Sequence, residues 1–414
     1  MIVDKLKAIG HRLSGFAMRL TRVRAVNFKS FAQLDIRLEN LNVLIGANAS
    51  GKSNFVQLFT FVRDIVESGL ENAISIQGGA QYLRNMNCGG DANLTIELSV
   101  EPDPGDLTFL PGVDPSSVIR FAYRFSLAFP GGRHVSIAED ELHVDLSNGP
   151  RSVSTFILKR TKNEYGIEGA PSMFGGVLVE NLNSRPGDAR QPMLLIENEF
   201  LRSMLPLNGL KSIATYDIDP KGPKAGAFFG AKSELEPNAD NLAIALDRIL
   251  SNDEGRRKLL NLLKDVLPFV DGLEAEQMQD SSFFFNMRER FSREPMPAAF
   301  LSDGTIDVIS LIVILYFERK SVVVIEEPER NLHPPLISKL VELFKDASRL
   351  KQVIVSTHNP EIVRYAEPGQ LILISRDASG SSHAERPVDK PQVQRFLREE
   401  IGMHELYVEN LLEV

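Results

Sequence analysis

Apolar positions change their period several times along the chain, and the changes divide it into stretches of different architecture. Leu20, Val23 and Val26 lead into Phe28-Lys29-Ser30-Phe31, and Leu34-Asp35-Ile36-Arg37-Leu38 alternates strictly. Leu41-Asn42-Val43-Leu44-Ile45 is almost wholly apolar, as a strand buried on both faces must be. Phe55, Leu58, Phe59 and Val62 then fall on one face of a predicted helix from Phe55 to Glu67. Between 93 and 168 the period drops to two. Leu94, Ile96, Leu98 and Val100 alternate with polar residues, as do Ile119, Phe121, Tyr123, Phe125 and Leu127, with shorter runs at Val135–Ile137, Leu142–Val144 and Val153–Leu158. Turn signals at Pro102–Gly105, Pro130–Gly132 and Asn148–Pro150 separate them, which predicts an antiparallel meander.

Residues 170–190 are rich in Gly, Pro and Asn and are expected as loop. From 192 to 275 the pattern is helical, clearest at Asn241–Leu250 and at Arg256–Leu267, the second capped by Asp253. Strand character returns around Ser282–Met287. Thereafter helices (Thr305–Phe317, Leu336–Ala347, Glu361–Tyr365) alternate with strands (Val322–Ile325, Val353–Ser356, Leu371–Ser375), the signature of a parallel sheet. Phe396, Leu397, Ile401, Leu406 and Leu411 predict one packed helix over Pro391–Leu412. There is no long heptad run, so no coiled-coil arm is expected.

The balance of 46 basic against 55 acidic residues argues against a general polyanion binder, and leaves nucleic acid only local basic patches such as Lys159-Arg160 with Lys162, or Arg256-Arg257-Lys258. The single cysteine, Cys88, rules out an intramolecular disulfide framework and agrees with a reducing, cytoplasmic setting. The longest apolar run, Val308–Phe317, is too short to span a bilayer. Met1–Phe16 lacks a continuous signal-peptide core and is expected as a short surface helix, an extension preceding the patterned sequence.

Gly46-Ala47-Asn48-Ala49-Ser50-Gly51-Lys52-Ser53 has the full G-x-x-x-x-G-K-S form between a buried strand and a helix. Its glycines let backbone amides curl around a phosphate, Lys52 places a charge on the β- and γ-phosphates, and the Ser53 hydroxyl ligates Mg²⁺. Asn54 follows at the helix start. Val322–Ile325 ends in Glu326-Glu327, one carboxylate for the metal and one for the attacking water. Ser302, Asp303 or Thr305 can cap the apolar helix that follows, leaving an anion site at its N-terminus. His358, in Ser356-Thr357-His358-Asn359-Pro360, follows a buried strand and can hydrogen-bond a γ-phosphate. Asp217-Ile218-Asp219 has the D-x-D form of metal nucleases but no third acid beside it, and reads as a loop turn.

The order of these pieces resembles the ABC ATPase series of Walker A, signature, Walker B and switch histidine. Leu301-Ser302-Asp303-Gly304-Thr305 and Ile325-Glu326-Glu327-Pro328-Glu329, followed by Asn331-Leu332-His333-Pro334, resemble RecF/SMC-like "AAA family ATPases": OLD-like ATPases without a TOPRIM domain, including the ATPase subunits of Septu- and PARIS-type antiphage systems. Val26–Phe31, Leu83-Arg84 with Ala92, Asn241-Leu242-Ala243 with Pro268, and Gly402 with Glu405-Leu406-Tyr407 resemble other segments of that group. The departures are Glu326 where most ABC proteins have Asp, and a Q-loop glutamine for which Gln77 and Gln81 both stand as candidates.

The resemblance implies an α/β fold, an ABC-type P-loop ATPase head with an antiparallel β lobe and a helical insertion. Its expected organisation is an N-terminal extension (1–18), ATPase lobe I (19–190), helical insert (191–280), ATPase lobe II (281–385) and C-terminal helical tail (386–414). It implies Mg²⁺-dependent hydrolysis of ATP to ADP and phosphate. Residues Gly46 to Asn54 bind the nucleotide, Ser53 and Glu326 the metal, and Glu327, Lys52 and His358 carry catalysis. Ser302, Asp303, Gly304 and Thr305 serve the site of the other protomer in a head-to-tail ATP-sandwich homodimer. The expected role is a subunit that regulates a nuclease or toxin encoded nearby in antiphage defence. A RecF-like DNA-repair ATPase is the alternative, and a transporter subunit is disfavoured by the long β-rich and helical segments between Walker A and signature.

Overall fold

The computed structural model describes residues 18–89, 92–102, 118–132, 134–147, 153–161, 164–169, 176, 179–180, 182–184, 190–192, 210–228, 234–278, 282–399 and 401–412. The expected helix in Met1–Phe16, the turns at 103–105 and 148–150, Lys162, most of the 170–190 loop and the start of the helical stretch at 193–209 lie outside the described residues.

In chain order the elements are β1 (Met18–Phe28), β2 (Phe31–Arg37), β3 (Leu41–Ile45), α1 (Lys52–Ser68), α2 (Leu70–Ile76), α3 (Ala80–Leu83), β4 (Leu94–Pro102), β5 (Val118–Ala128), β6 (Ser136–Ser147), β7 (Val153–Thr161), β8 (Glu164–Glu168), β9 (Ile213–Tyr216), α4 (Lys221–Ala225), β10 (Ala227–Phe228), α5 (Leu242–Leu250), α6 (Asp253–Val266), β11 (Val270–Gln277), β12 (Ser282–Glu289), β13 (Met296–Pro297), α7 (Asp303–Tyr316), β14 (Val322–Glu326), α8 (Pro334–Ala347), β15 (Gln352–Ser356), α9 (Pro360–Tyr365), β16 (Leu371–Arg376), β17 (Ser382–Glu385), α10 (Pro391–Arg398) and α11 (Met403–Val408). They fall into two compact units: Met1–Asn27, Phe61–Ile213 and Arg319–Ser321 in the first, Phe28–Thr60, Ala214–Glu318 and Val322–Val414 in the second.

The first unit is built on the antiparallel succession β1-β4-β5-β6-β7-β8. The period-two pattern explains it, since Leu94, Ile96, Leu98 and Val100, with Phe121, Tyr123, Phe125 and Leu127, all point inward. The two short runs expected at 135–137 and 142–144 are one strand, β6. Arg160, expected as part of a surface cluster, is buried and paired with Asp140 at 2.7 Å, and Tyr123 donates to the same carboxylate at 2.6 Å. A charge removed from water requires such partners, so Arg160 is not available to nucleic acid.

The second unit is organised by a sheet of order β17-β16-β3-β15-β14-β9. β3 lies parallel between β16 and β15, β14 continues parallel on β15, and β17 is antiparallel to β16. Every residue of β3 and β15 is buried, which is why both read as apolar runs. The register sets Leu44 opposite Ser356 and Ser356 opposite Glu326. The loops that leave the C-terminal ends of β3, β14 and β15 therefore emerge side by side, where parallel sheets place their ligands.

A smaller sheet, β10-β12-β11 with β13 on β12, shares a buried core with α5, α6 and α7. Here helix was expected through residue 275, but Val270–Gln277 is a strand antiparallel to β12. The cap of α6 is Asn252, which accepts from the Glu254 amide, rather than Asp253. Arg256 donates to the Leu250 carbonyl, and Lys258 lies over the Tyr316 and Phe317 rings, so only Arg257 of that basic cluster is left without such an anchor beyond its own helix. The tail is two helices, broken where Gly402 takes an extended conformation at the cap of α11. No described helix is long and apolar enough to cross a membrane.

Candidate functional site

Apart from the Q-loop glutamines, the candidate site residues lie in the second unit. β3 runs straight into the glycine loop. At Gly46, φ is 151° and a side chain would run into the Ile374 carbonyl; at Gly51, φ is 115° and a side chain would meet the Ser382 and Ser30 hydroxyls. Ala49 adopts a left-handed φ of 62° between them. The loop is braced from behind: Ser382 donates to the Ser50 carbonyl at 2.6 Å, and Asn54 donates to Ser30 at 2.7 Å. Asn54 thus faces Ser30 with its amide. Phe55 and Phe59 bury the inner face of the helix that follows, with Phe55 edge-on to Phe31. α1 begins at Lys52, so the first-turn amides of Lys52, Ser53 and Asn54 have no helical acceptor and form an anion site at a positive helix end.

Lys52 is buried, and its ammonium donates to the Gly46 carbonyl at 2.8 Å and the Ala47 carbonyl at 3.0 Å. Burial lowers its proton affinity, while the nearby Glu327 and Glu329 carboxylates work against that. Glu326, at the end of β14, is pushed toward the protonated form by burial, opposed by a hydrogen bond from the Ser53 hydroxyl and reinforced by the charges of Asp217 and Glu327. A hydroxyl and a carboxylate one hydrogen bond apart are hard oxygen donors, and they fit a Mg²⁺ ion.

Glu327 has a φ of 41°, a left-handed conformation that a non-glycine residue adopts at a cost. Its amide donates to the Ser356 carbonyl at 2.9 Å, tying the turn to β15. His358 Nδ1 lies 3.2 Å from one carboxylate oxygen, and the Arg330 guanidinium is 3.3 Å from the other. Arg330 also holds Asp217 at 3.2 Å. Behind this surface Glu329 is buried. Thr357 donates to its Oε1, Oε2 has no hydrogen-bond partner, and burial raises its proton affinity.

Among Ser302, Asp303 and Thr305 the cap of α7 is Ser302, which accepts from the Thr305 amide at 3.2 Å and shares a 2.8 Å contact with its hydroxyl. Asp303 pairs with Lys224. A side chain on Gly304 would collide with the Asn331 carbonyl, and Asn331 donates to Asp307 at 2.8 Å. The side-chain hydrogen bonds of Ser302 and Asp303 go to Thr305 and Lys224, none to the glycine loop of the same chain. Gln77 caps α2 and Gln81 is exposed on α3, both in the first unit.

The glycine loop, Lys52, Ser53–Glu326 and Glu327–His358 are thus brought together, and Ser302–Thr305 form a separate helix end. Asp217, which its sequence context places in a loop turn, is brought into the site by the ion pair with Arg330, whereas Asp219 accepts from the Lys221 amide at 3.1 Å. Sequence reading passed over Arg330, Glu329 and Thr357. The repeated acids of Glu326-Glu327-Pro328-Glu329 were the one available signal for Glu329.

A parallel sheet thus delivers a phosphate-loop sequence, a doubled carboxylate and a histidine from one edge, with a capped helix end held apart, the arrangement expected of a P-loop ATPase head. Residues 18–103 match the family model described as an AAA ATPase domain, and residues 236–364 match an AAA domain, putative AbiEii toxin, Type IV TA system. The chain is 38% identical over 68 residues to the DNA replication and repair protein RecF of Desulforudis audaxviator (strain MP104C), a match that spans 14% of this chain and 19% of that protein. Among solved structures it is similar to an SMC head bound to the C-winged helix domain of ScpA, with a TM-score of 0.50 and 15% identity over 88% of this chain and 97% of that one. The SMC head domain from Thermotoga maritima matches with a TM-score of 0.44 and 15% identity over 89% of this chain and 98% of that one. Two stretches of the chain thus match AAA ATPase domains, and its fold is similar to that of an SMC head.

Proposed function

We propose that this ATPase hydrolyses ATP with Mg²⁺ and works as a nucleotide-switched, head-to-tail dimer that regulates a partner effector. The observation that carries the proposal is the division of the machinery. Lys52, Ser53, Glu326, Glu327 and His358 converge, while the Ser302 helix end points to none of them and suits the nucleotide of a second copy. The Lys52 ammonium and the amides of Lys52, Ser53 and Asn54 bind the β- and γ-phosphates. Ser53 and Glu326 would hold Mg²⁺, which would supply positive charge against the phosphate oxygens. Glu327 orients and deprotonates the attacking water, for which it exchanges its contact with Arg330 or His358. When ATP is bound, His358 gives up its contact with Glu327 and donates a ring N–H to the γ-phosphate.

The effector reading, a nuclease or toxin in antiphage defence, draws support from the toxin description carried by the matched family and from a solved SMC head that is bound to a partner domain. The RecF match favours a DNA-repair role as the alternative. Duplex binding that weakens steeply with salt would favour repair. The test of the main reading is Glu327→Gln, which keeps shape and removes the base. Hydrolysis should fall by about 10²-fold or more with ATP affinity retained; unchanged turnover contradicts the role of Glu327.

A further inference from the structure

Thr357 takes no part in the hydrolytic scheme, yet it ties three stretches of the second unit together. It is buried just past the C-terminal end of β15, immediately before the exposed His358. Its amide donates to the Leu44 carbonyl at 2.9 Å, on the strand that runs into the glycine loop. Its hydroxyl donates to Oε1 of Glu329, in the turn that follows β14. The same hydroxyl accepts from the Asn359 amide at 2.9 Å. Asn359 in turn accepts from the Glu361 amide at 2.9 Å and caps α9. His358 therefore sits between two anchored residues, so its backbone is held while its ring stands at the surface.

We infer that Thr357, held by Glu329, is a positioning residue that aims the His358 ring at the γ-phosphate. The inference rests on the proposed role of His358. A threonine hydroxyl has one proton and two lone pairs. Here the proton goes to a carboxylate and a lone pair takes an amide proton, so the side chain is fixed from both sides. The bond to Glu329 holds the start of the segment against the turn that carries Glu327. The bond from Asn359 closes the chain around His358 and sets where its side chain leaves the backbone. Glu329 is buried, and its Oε2 has no hydrogen-bond partner among the described residues. A buried carboxyl satisfied on one side only costs free energy, so its place here is explained by what Oε1 holds rather than by stability. Valine has nearly the shape of threonine without the hydroxyl, so packing alone does not call for threonine. The effect falls on turnover rather than on affinity, because the hydroxyl bonds to Glu329 and Asn359 and not to Lys52 or the first-turn amides of α1.

The experiment measures kcat, KM, ATP affinity and melting temperature for the full chain as wild type, Thr357→Ser, Thr357→Val, His358→Ala and the double variant Thr357→Val/His358→Ala. Thr357→Val should lower kcat by about ten- to a hundredfold, as misplacing a catalytic group does. Its ATP affinity should stay within about twofold of wild type. Thr357→Ser keeps the hydroxyl and should restore kcat to within about threefold of wild type. In the His358→Ala background, Thr357→Val should cost less than about a further twofold, because both changes act through one group. A merely structural threonine would cost the same in both backgrounds, and that result overturns the inference. So does a Thr357→Val protein that keeps wild-type kcat, or one that loses ATP affinity as steeply as turnover. Thr357→Ala removes the hydroxyl without pressing a methyl group on Glu329, and carries the same comparison if Thr357→Val does not fold. Unchanged turnover in His358→Ala overturns the role of His358 itself. Loss of turnover in His358→Ala with wild-type kcat in Thr357→Val leaves that role standing and removes Thr357 from it.

Discussion

Lys52 carries the heaviest demand of any single residue. Its ammonium is buried against two loop carbonyls and must transfer to phosphate oxygens without losing its charge. Charge-assisted hydrogen bonds contribute about 1.5–3 kcal/mol each, so Lys52→Ala should weaken ATP binding by about 10²-fold or more in equilibrium titration; affinity within about threefold of wild type contradicts the assignment. The loop was legible in the sequence because its chemistry needs contiguous residues, Gly46 through Ser53. Its companions were not. Arg330 and Asp217 are 113 positions apart, and neither has a local pattern that announces the other. Arg160 read as surface because spacing shows charge and says nothing of the Asp140 waiting opposite it.

At the scale of elements, α7 ties the outward-facing helix end to the Glu326–Glu327 turn. Gly304 packs on the Asn331 carbonyl, and Asn331 grips Asp307 one turn further along. Burial pushes the Asp307 carboxyl up to about 6, against the opposing hydrogen bond from Asn331. A carboxyl raised above its unfolded value is favoured protonated in the native state. Its contribution is therefore full below pH about 4 and is lost as pH rises through about 6. Wild type should lose up to about 3 kcal/mol of stability from this group across that window, and Asp307→Asn should not. Urea melts at a series of pH values check it; parallel curves for the two proteins contradict it. Most elements here were readable, since long apolar periods leave little choice. β11 was not. Val270 and Leu273 are separated by Asp271 and Gly272, and the bulge at that point breaks the alternation that would have marked a strand.

At the scale of the molecule, the proposed dimer predicts a site that one copy cannot complete. The phosphate-binding and carboxylate groups share one sheet edge, while Ser302 and Gly304 present a helix end that suits a second molecule's γ-phosphate. The parallel sheet of the last third and the meander of the first were both legible, because strand–helix alternation and period-two runs each admit few architectures. How two copies meet is not written in either pattern. The chain offers a clean test, because Cys88 is its single cysteine. Gly46 is unsuitable as a probe position, since a side chain there would strike the Ile374 carbonyl, but Asn48 and Ser302 are exposed. In a Cys88→Ser, Glu327→Gln background, Asn48→Cys and Ser302→Cys should join two chains through a short bifunctional thiol reagent when ATP and Mg²⁺ are present, and only at background level without them. Equal yields with and without ATP, or no joined dimer in a protein that demonstrably binds ATP, would contradict the nucleotide-switched sandwich.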